Sequence, residues 1–185
     1  MRILKLKLNV LESVYKPRED SFLLIKALRI NSGEKILEVG TGSGIIAIHC
    51  AKTGADVIAI DINPAAVKCA GHNAKANDVT LKVFESDLLS ALPERLKFDK
   101  IIFNPPYLPS DEKDKAYDIS WSGGKSGVDV TNRFLKQAKK HLEANGEIYF
   151  VLSSLAKLEK VNTPYEIAHK EKLGKEIIFV CKIKA

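Results

Sequence analysis

Lys35 to Val39 reads as a short buried strand that runs straight into Glu38-Val39-Gly40-Thr41-Gly42-Ser43-Gly44, and a helical pattern through Ile45, Ile46, Ile48 and Ala51 follows at once. A strand, a glycine-rich turn and a helix in direct succession aim backbone N–H groups and the positive end of a helix dipole at whatever the turn encloses. Such a unit belongs at the ligand-binding end of a strand in a parallel sheet. From Pro17 onward apolar strands alternate with amphipathic helices, as in an α/β chain whose mostly parallel sheet is covered on both faces.

The remaining elements follow from local signals. A first helix is expected from about Pro17 to Ile30, with Pro17 preset for the first turn and Glu19 and Asp20 favoured by the dipole. Asp56 to Ile60 is the second sheet strand, and Asn63 and Pro64 open the next helix as N-cap and first helical residue. Val79 to Phe84 and Lys100 to Phe103 read as further strands, and Ser126 with Asp129 reads as a capping box for a helix spaced by Val130, Phe134, Ala138 and Leu142. Asn145-Gly146 should then turn into a strand from Glu147 to Leu152. Tyr165 to Lys172 and Glu176 to Ile183, around Gly174, predict a closing hairpin. At the other end, Leu4 to Leu8 interleaves leucines with Lys5 and Lys7, the period of a half-buried strand.

Composition narrows the class. At 185 residues and 45% hydrophobic, without a linker or repeat, the chain is expected to form one domain over residues 1–185. Cys50, Cys69 and Cys181 are far apart, and the first two lie in apolar helical stretches, so free thiols in a reduced, cytoplasmic protein are expected. None of the four histidines has metal-ligand spacing, so no metal is expected. No apolar run approaches the roughly 20 residues a membrane-spanning helix needs. A net charge of +6 favours acidic partners, but the lysines are scattered and form no arginine-rich stripe.

Two features carry chemistry. A dinucleotide turn wants a further glycine where Ile45 stands, so that reading fails, and Gly124-Lys125-Ser126 is no phosphate loop because Ile119 replaces the upstream glycine. Asp61 closes the second strand about 20 residues after the turn, where a carboxylate can accept both ribose hydroxyls of a nucleoside. Asp87 and Leu88 follow the third strand, at the same end of the sheet. Asn104-Pro105-Pro106-Tyr107 ends the fourth strand. There the Asn104 oxygen and the Pro105 carbonyl can hold the two N–H bonds of a flat amide or amino group, while Tyr107 stacks on it.

The glycine spacing resembles motif I of the class I methyltransferases. That resemblance implies a Rossmann-like fold with a seven-stranded sheet ending in an antiparallel hairpin. It also implies that Glu38, Gly40, Gly42 and Gly44, Asp61 with Ile62, Asp87 with Leu88, and Asn104 contact S-adenosyl-L-methionine. Val14-Tyr15-Lys16-Pro17-Arg18-Glu19-Asp20-Ser21-Phe22-Leu23-Leu24, the Asn104 tetrapeptide and Trp121-Ser122-Gly123-Gly124-Lys125-Ser126-Gly127 together are similar to the HemK-type glutamine N5-methyltransferases, in their compact archaeal and eukaryotic branch. The implied substrate is the glutamine of the Gly-Gly-Gln loop of a class I peptide-chain release factor. Tyr15, Pro17 and Asp20 would lie over the cofactor, and Asn104, Pro105, Pro106, Tyr107 and Trp121 would meet the substrate. The branch also implies a small zinc-binding activator protein on the edge strand, here Val79 to Phe84. Family members carry a long helix after the fifth strand, whereas Ser153 to Val161 leaves room for barely two turns, so one sheet face should be thinly covered.

Other readings weigh less. A DNA or RNA amino-methyltransferase could use the same tetrapeptide, but little chain is left for a target-recognition domain. A lysine amine does not require two fixed acceptors. A non-catalytic nucleotide-binding scaffold has no use for Asn104 at a strand end.

Overall fold

A computed structural model of the chain describes residues 4–110 and 122–185, so Trp121 lies outside the described residues. The elements are α1 (Glu19–Ala27), β1 (Lys35–Val39), α2 (Ile45–Lys52), β2 (Asp56–Asp61), α3 (Pro64–Ala76), β3 (Lys82–Glu85) and β4 (Phe98–Phe103). They continue with α4 (Asp129–Ala138), β5 (Leu142–Ser153), β6 (Glu166–Leu173) and β7 (Glu176–Lys184). The strands form one sheet in the order β3-β2-β1-β4-β5-β7-β6. Its first five strands run parallel, and β7 and β6 close it antiparallel.

Strand side chains alternate between two cores because successive residues point to opposite faces. Leu37, Val39, Ile101, Phe103, Ile148, Phe150 and Leu152 pack on one face beneath Phe134, Leu135 and Ala138 of α4. Ile36, Ile102, Tyr149 and Val151 pack on the other beneath Leu23, Leu24, Ile46 and Cys50 of α1 and α2. On the α4 face the remaining cover comes from Leu88, Leu89 and Leu92 and from Ala156, Leu158 and Val161, outside any α-helix. After β5 there is only one short 3₁₀ turn, Leu158–Lys160, as the short spacing before Pro164 requires.

Several boundaries differ from the sequence reading, each for a local reason. α1 stops at Ala27 because Leu28 turns extended, with ψ 143°. β3 starts at Lys82, not Val79. The Val79 amide is used by the end of α3, bonding back to the Ala74 carbonyl at 3.1 Å while Asp78 adopts a left-handed φ of 54°, as a helix C-cap of the Schellman type does. Asn145-Gly146 is no turn. β5 already pairs at Leu142 with Phe98 and bulges before Glu147 meets Lys100. Ser126 and Asp129 do pair, the Ser126 amide and hydroxyl donating to the Asp129 carboxylate at 3.2 and 2.6 Å, but not as a capping box, because Gly127 is left-handed with φ 76° and α4 starts at Asp129 with Val128 as its N-cap.

The opening segment, residues 4–10, forms no strand, although Leu6, Leu8 and Val10 are half-buried in alternation. Its backbone is read by asparagines one helical turn apart on α3, which substitute for a neighbouring strand. Asn77 accepts from the Lys7 amide at 2.9 Å and donates to the Lys7 carbonyl at 2.7 Å. Asn73 does the same with Asn9, at 2.8 and 3.1 Å, and also donates to the Ser43 carbonyl in the glycine turn at 2.9 Å. Replacing the buried Asn73 by leucine leaves these backbone groups unpaired and should cost about 3 kcal/mol or more of stability. Thermal and denaturant unfolding of the variant measures that loss.

Candidate active site

The carboxyl ends of β1, β2 and β4 open onto a cavity of about 690 Å³, a volume suited to a small organic ligand. Tyr15, Pro17, Asp20, Glu38, Gly40, Gly42, Asp61, Ile62, Asp87, Leu88 and all four residues from Asn104 to Tyr107 line it.

The turn after β1 has left-handed Gly40, Gly42 and Gly44, with φ of 63°, 53° and 82°. Their roles differ. A Cβ on Gly40 would stand 2.8 Å from the Phe103 ring, and one on Gly44 3.0 Å from Ala70, so these two let the turn pack. Gly44, the N-cap of α2, is not among the cavity's lining residues. A Cβ on Gly42 would meet only the Tyr15 carbonyl, at 3.9 Å, and the space beside it is open for a ligand.

Glu38 is 2% exposed. Its carboxyl accepts from the Thr41 hydroxyl at 2.6 Å and from the Ala47 amide at 3.0 Å, capping α2 from outside the helix. Burial pushes its pKa up to about 8, against the pull of those two donors. A folded carboxyl that holds its proton more tightly than an unfolded one favours folding at low pH. That advantage shrinks as pH rises from about 4.5 through about 8. The melting temperature of the protein relative to Glu38→Gln should therefore fall across that window, and thermal scans at several pH values will show it.

Asp61 is held rigid at the end of β2. One carboxylate oxygen accepts from the Asn63 amide and the other from the Gly42 amide, both at 2.9 Å. Burial raises its pKa. Each oxygen has further lone pairs to offer a vicinal diol. Asp87 takes a hydrogen bond from Arg133 at 2.8 Å, an ion pair half-open to solvent. Leu88 is buried with a left-handed φ of 50°, its carbonyl accepting from the Ser86 hydroxyl at 2.7 Å.

Asp20 organises the opposite wall. Its Oδ2 accepts from the hydroxyls of Tyr15 at 2.8 Å and Tyr107 at 3.1 Å, while Oδ1 accepts from the Ser21 amide at 2.6 Å and the Ser21 hydroxyl at 3.1 Å. Burial and the adjacent Asp20 raise both phenols well above the ordinary tyrosine range, so both rings stay neutral. Between the two walls, the Asn104 Oδ1 atom is buried and has no partner among the described residues. An orphaned buried acceptor costs about 1–3 kcal/mol, so its presence at a cavity marks a place where a ligand N–H or O–H fits.

The structure brings the sequence-selected residues together around this cavity, Gly44 behind its wall and Trp121 outside the described residues. It also adds two that sequence reasoning missed. Ser21 had a faint signal as the neighbour of Asp20. Arg133 had none, because only the crossing of α4 over the sheet places it beside Asp87. No helix among the described residues is long and apolar enough to cross a membrane.

Sheet order and cavity together define a Rossmann-like fold with a ligand-sized site at the carboxyl ends of its strands, and the family match makes it a methyltransferase fold. The chain belongs to the methyltransferase small domain family, whose pattern it matches over residues 13–173, and within that family it is of the HemK type. It is 40% identical over 186 residues to a Methanocaldococcus jannaschii protein provisionally named a protein N5-glutamine methyltransferase, covering 95% of this chain and 93% of that one. Methyltransferase HEMK2 of Homo sapiens is 35% identical over 167 residues, with 83% and 75% covered. The release factor glutamine methyltransferase of Lactococcus lactis is 34% identical, and there the match spans 78% of this chain and 57% of the relative. Among solved structures, a T. thermophilus 16S rRNA N2 G1207 methyltransferase in complex with AdoMet and guanosine superposes with TM-score 0.70 at 24% identity. It covers 91% of this chain and 43% of that one, a likeness of fold.

Proposed function

We propose that this chain carries a methyl group from S-adenosylmethionine to the side-chain nitrogen of the Gly-Gly-Gln glutamine of a peptide-chain release factor. The observation that carries the reading is the buried Oδ1 of Asn104 at the cavity end of β4, without a partner among the described residues, in a cavity lined also by Tyr15, Asp20, Tyr107, the glycine turn and Asp61. The names of the relatives, which specify glutamine, support the substrate.

The residues suit the cofactor. The open space beside Gly42 accepts its amino-acid part, the doubly anchored Asp61 carboxylate its ribose, and Asp87 with Leu88 its adenine. When bound, S-adenosylmethionine supplies a methyl group on a positively charged sulfur, ready for attack by a nucleophile. The protein supplies position and polarity. Asn104 Oδ1 takes one N–H of the glutamine amide and the Pro105 carbonyl the other, which orients the nitrogen and favours the charge it gains. The neutral rings of Tyr15 and Tyr107 enclose the flat amide and exclude water. Once it carries the methyl group the nitrogen is positively charged and still holds both protons; in that state it is strongly acidic and gives one of them up to solvent as the product leaves, so the pocket needs no strong base.

The unpaired edge of β3 is where a small activator protein would add, by pairing of backbone groups. Purified protein is assayed with labelled S-adenosylmethionine against recombinant release factor, free glutamine and an oligonucleotide. Label is expected on release factor alone, and none on a release factor whose motif glutamine is replaced by alanine. Label on the oligonucleotide instead would overturn the substrate assignment. Full activity of the isolated chain, with no added mass from cell extract, would remove the activator.

A further inference from the structure

An asparagine amide is two-faced, with an acceptor at one end and donors at the other. Asn104 serves a glutamine NH₂ only when its oxygen faces the cavity, because reversal would set donor against donor. Something must hold that polarity, and the Asn104 backbone does not do so.

The neighbouring groups do. Asp20 is acceptor-only as a carboxylate, and its Oδ1 takes the Ser21 hydroxyl at 3.1 Å beside the Ser21 amide at 2.6 Å. The Ser21 hydrogen is thereby directed at Asp20, and what its oxygen offers on the other side is a lone pair. The Asn104 Nδ2 lies 3.5 Å from that oxygen. A contact of this length attracts weakly, but its sign favours one orientation of the amide over the other. A reversed amide would place the Asn104 oxygen against the Ser21 lone pair. Asp20 cannot release the serine by rotating, since its Oδ2 is engaged by Tyr15 and Tyr107. Ser21 and Asn104 come from α1 and the end of β4, 83 residues apart in sequence, and Ser21 is 3% exposed.

We propose that Ser21 is a positioning residue, which, with its hydroxyl held by Asp20, keeps the Asn104 amide turned with its oxygen toward the acceptor nitrogen. This rests on the reading of Asn104 given above, and it adds a cause for the orphaned oxygen. The two tyrosines, by occupying Asp20, anchor the far end of the same chain of hydrogen bonds.

The test compares Ser21→Thr with Ser21→Val, which have the same shape and differ by the hydroxyl, so that a packing effect touches both alike. With S-adenosylmethionine saturating, Ser21→Val should lose about tenfold in kcat/KM for release factor, the worth of one correctly presented hydrogen bond. Ser21→Thr should stay close to the parent, and calorimetry should give both variants the parent's affinity for S-adenosylhomocysteine. The second arm places both changes in an Asn104→Asp background, where two equivalent oxygens make orientation immaterial. The advantage of threonine over valine should be lost or reversed there, because one carboxylate oxygen must then face the hydroxyl oxygen of residue 21. Equal activity of the two in the parent, or an undiminished advantage of threonine in the Asn104→Asp background, overturns the proposal while leaving the Asn104 reading intact. Full transfer by Asn104→Ala overturns that reading, and this proposal with it.

Discussion

Asn104→Ala should lower kcat for methyl transfer by about 10²- to 10³-fold, the usual consequence of removing one fixed hydrogen-bonding group aimed at a reacting centre. The loss should sit in the chemical step, because Asn104 Oδ1 has no partner among the described residues and is assigned to the acceptor. Single-turnover transfer of labelled methyl to release factor measures that step directly. Cofactor affinity should fall far less than transfer, since Asn104 is one of many groups assigned to the cofactor and those assigned to its nucleoside lie on β2 and in the segment after β3. Stability should hold or rise, because alanine removes a buried acceptor that has no partner among the described residues. Slowed chemistry without lost stability separates a functional asparagine from a structural one. A variant that unfolds more easily yet transfers at the parent rate would show the opposite assignment to be correct.

The second large effect concerns Asp61. Its two carboxylate oxygens are available to a pair of ribose hydroxyls, and hydrogen bonds to a charged group contribute about 1.5–3 kcal/mol each. Asp61→Ala should therefore weaken S-adenosylhomocysteine by a factor of about a hundred or more. The same change leaves the Gly42 and Asn63 amides without their acceptor, which loosens the turn after β1 and the entry to α3. Asp61→Asn should be nearly as poor, because an NH₂ group would then face one of two backbone N–H donors. Titration calorimetry on the three proteins decides it. An affinity within a fewfold of the parent in Asp61→Ala would move the nucleoside elsewhere in the cavity.

That Asp61 and the Asn104 tetrapeptide line one cavity was legible in the chain because local rules and global fold agree there. A strand that ends in a glycine turn can go nowhere but the carboxyl edge of a parallel sheet, and acidic residues at successive strand ends must then converge. The errors fall where one backbone group had two suitors. The Val79 amide could join a ladder or finish α3, and the helix end, nearer in sequence, took it. The alternating leucines near the N-terminus do bury one side, but side chains of Asn73 and Asn77 supply the hydrogen bonds that a strand would have given.

From the sequence alone came the order of strands and helices, the glycine turn, Asp61, Asp87 and the Asn104 tetrapeptide, because periodicity and turn chemistry are properties of short segments. Only the folded molecule could join Asp20, Ser21, Tyr15 and Tyr107 to Asn104, or Arg133 to Asp87. Those contacts link α1, the segment before it, β4 and its following turn, and α4, and no short-range rule carries the direction in which a hydroxyl donates across such distances.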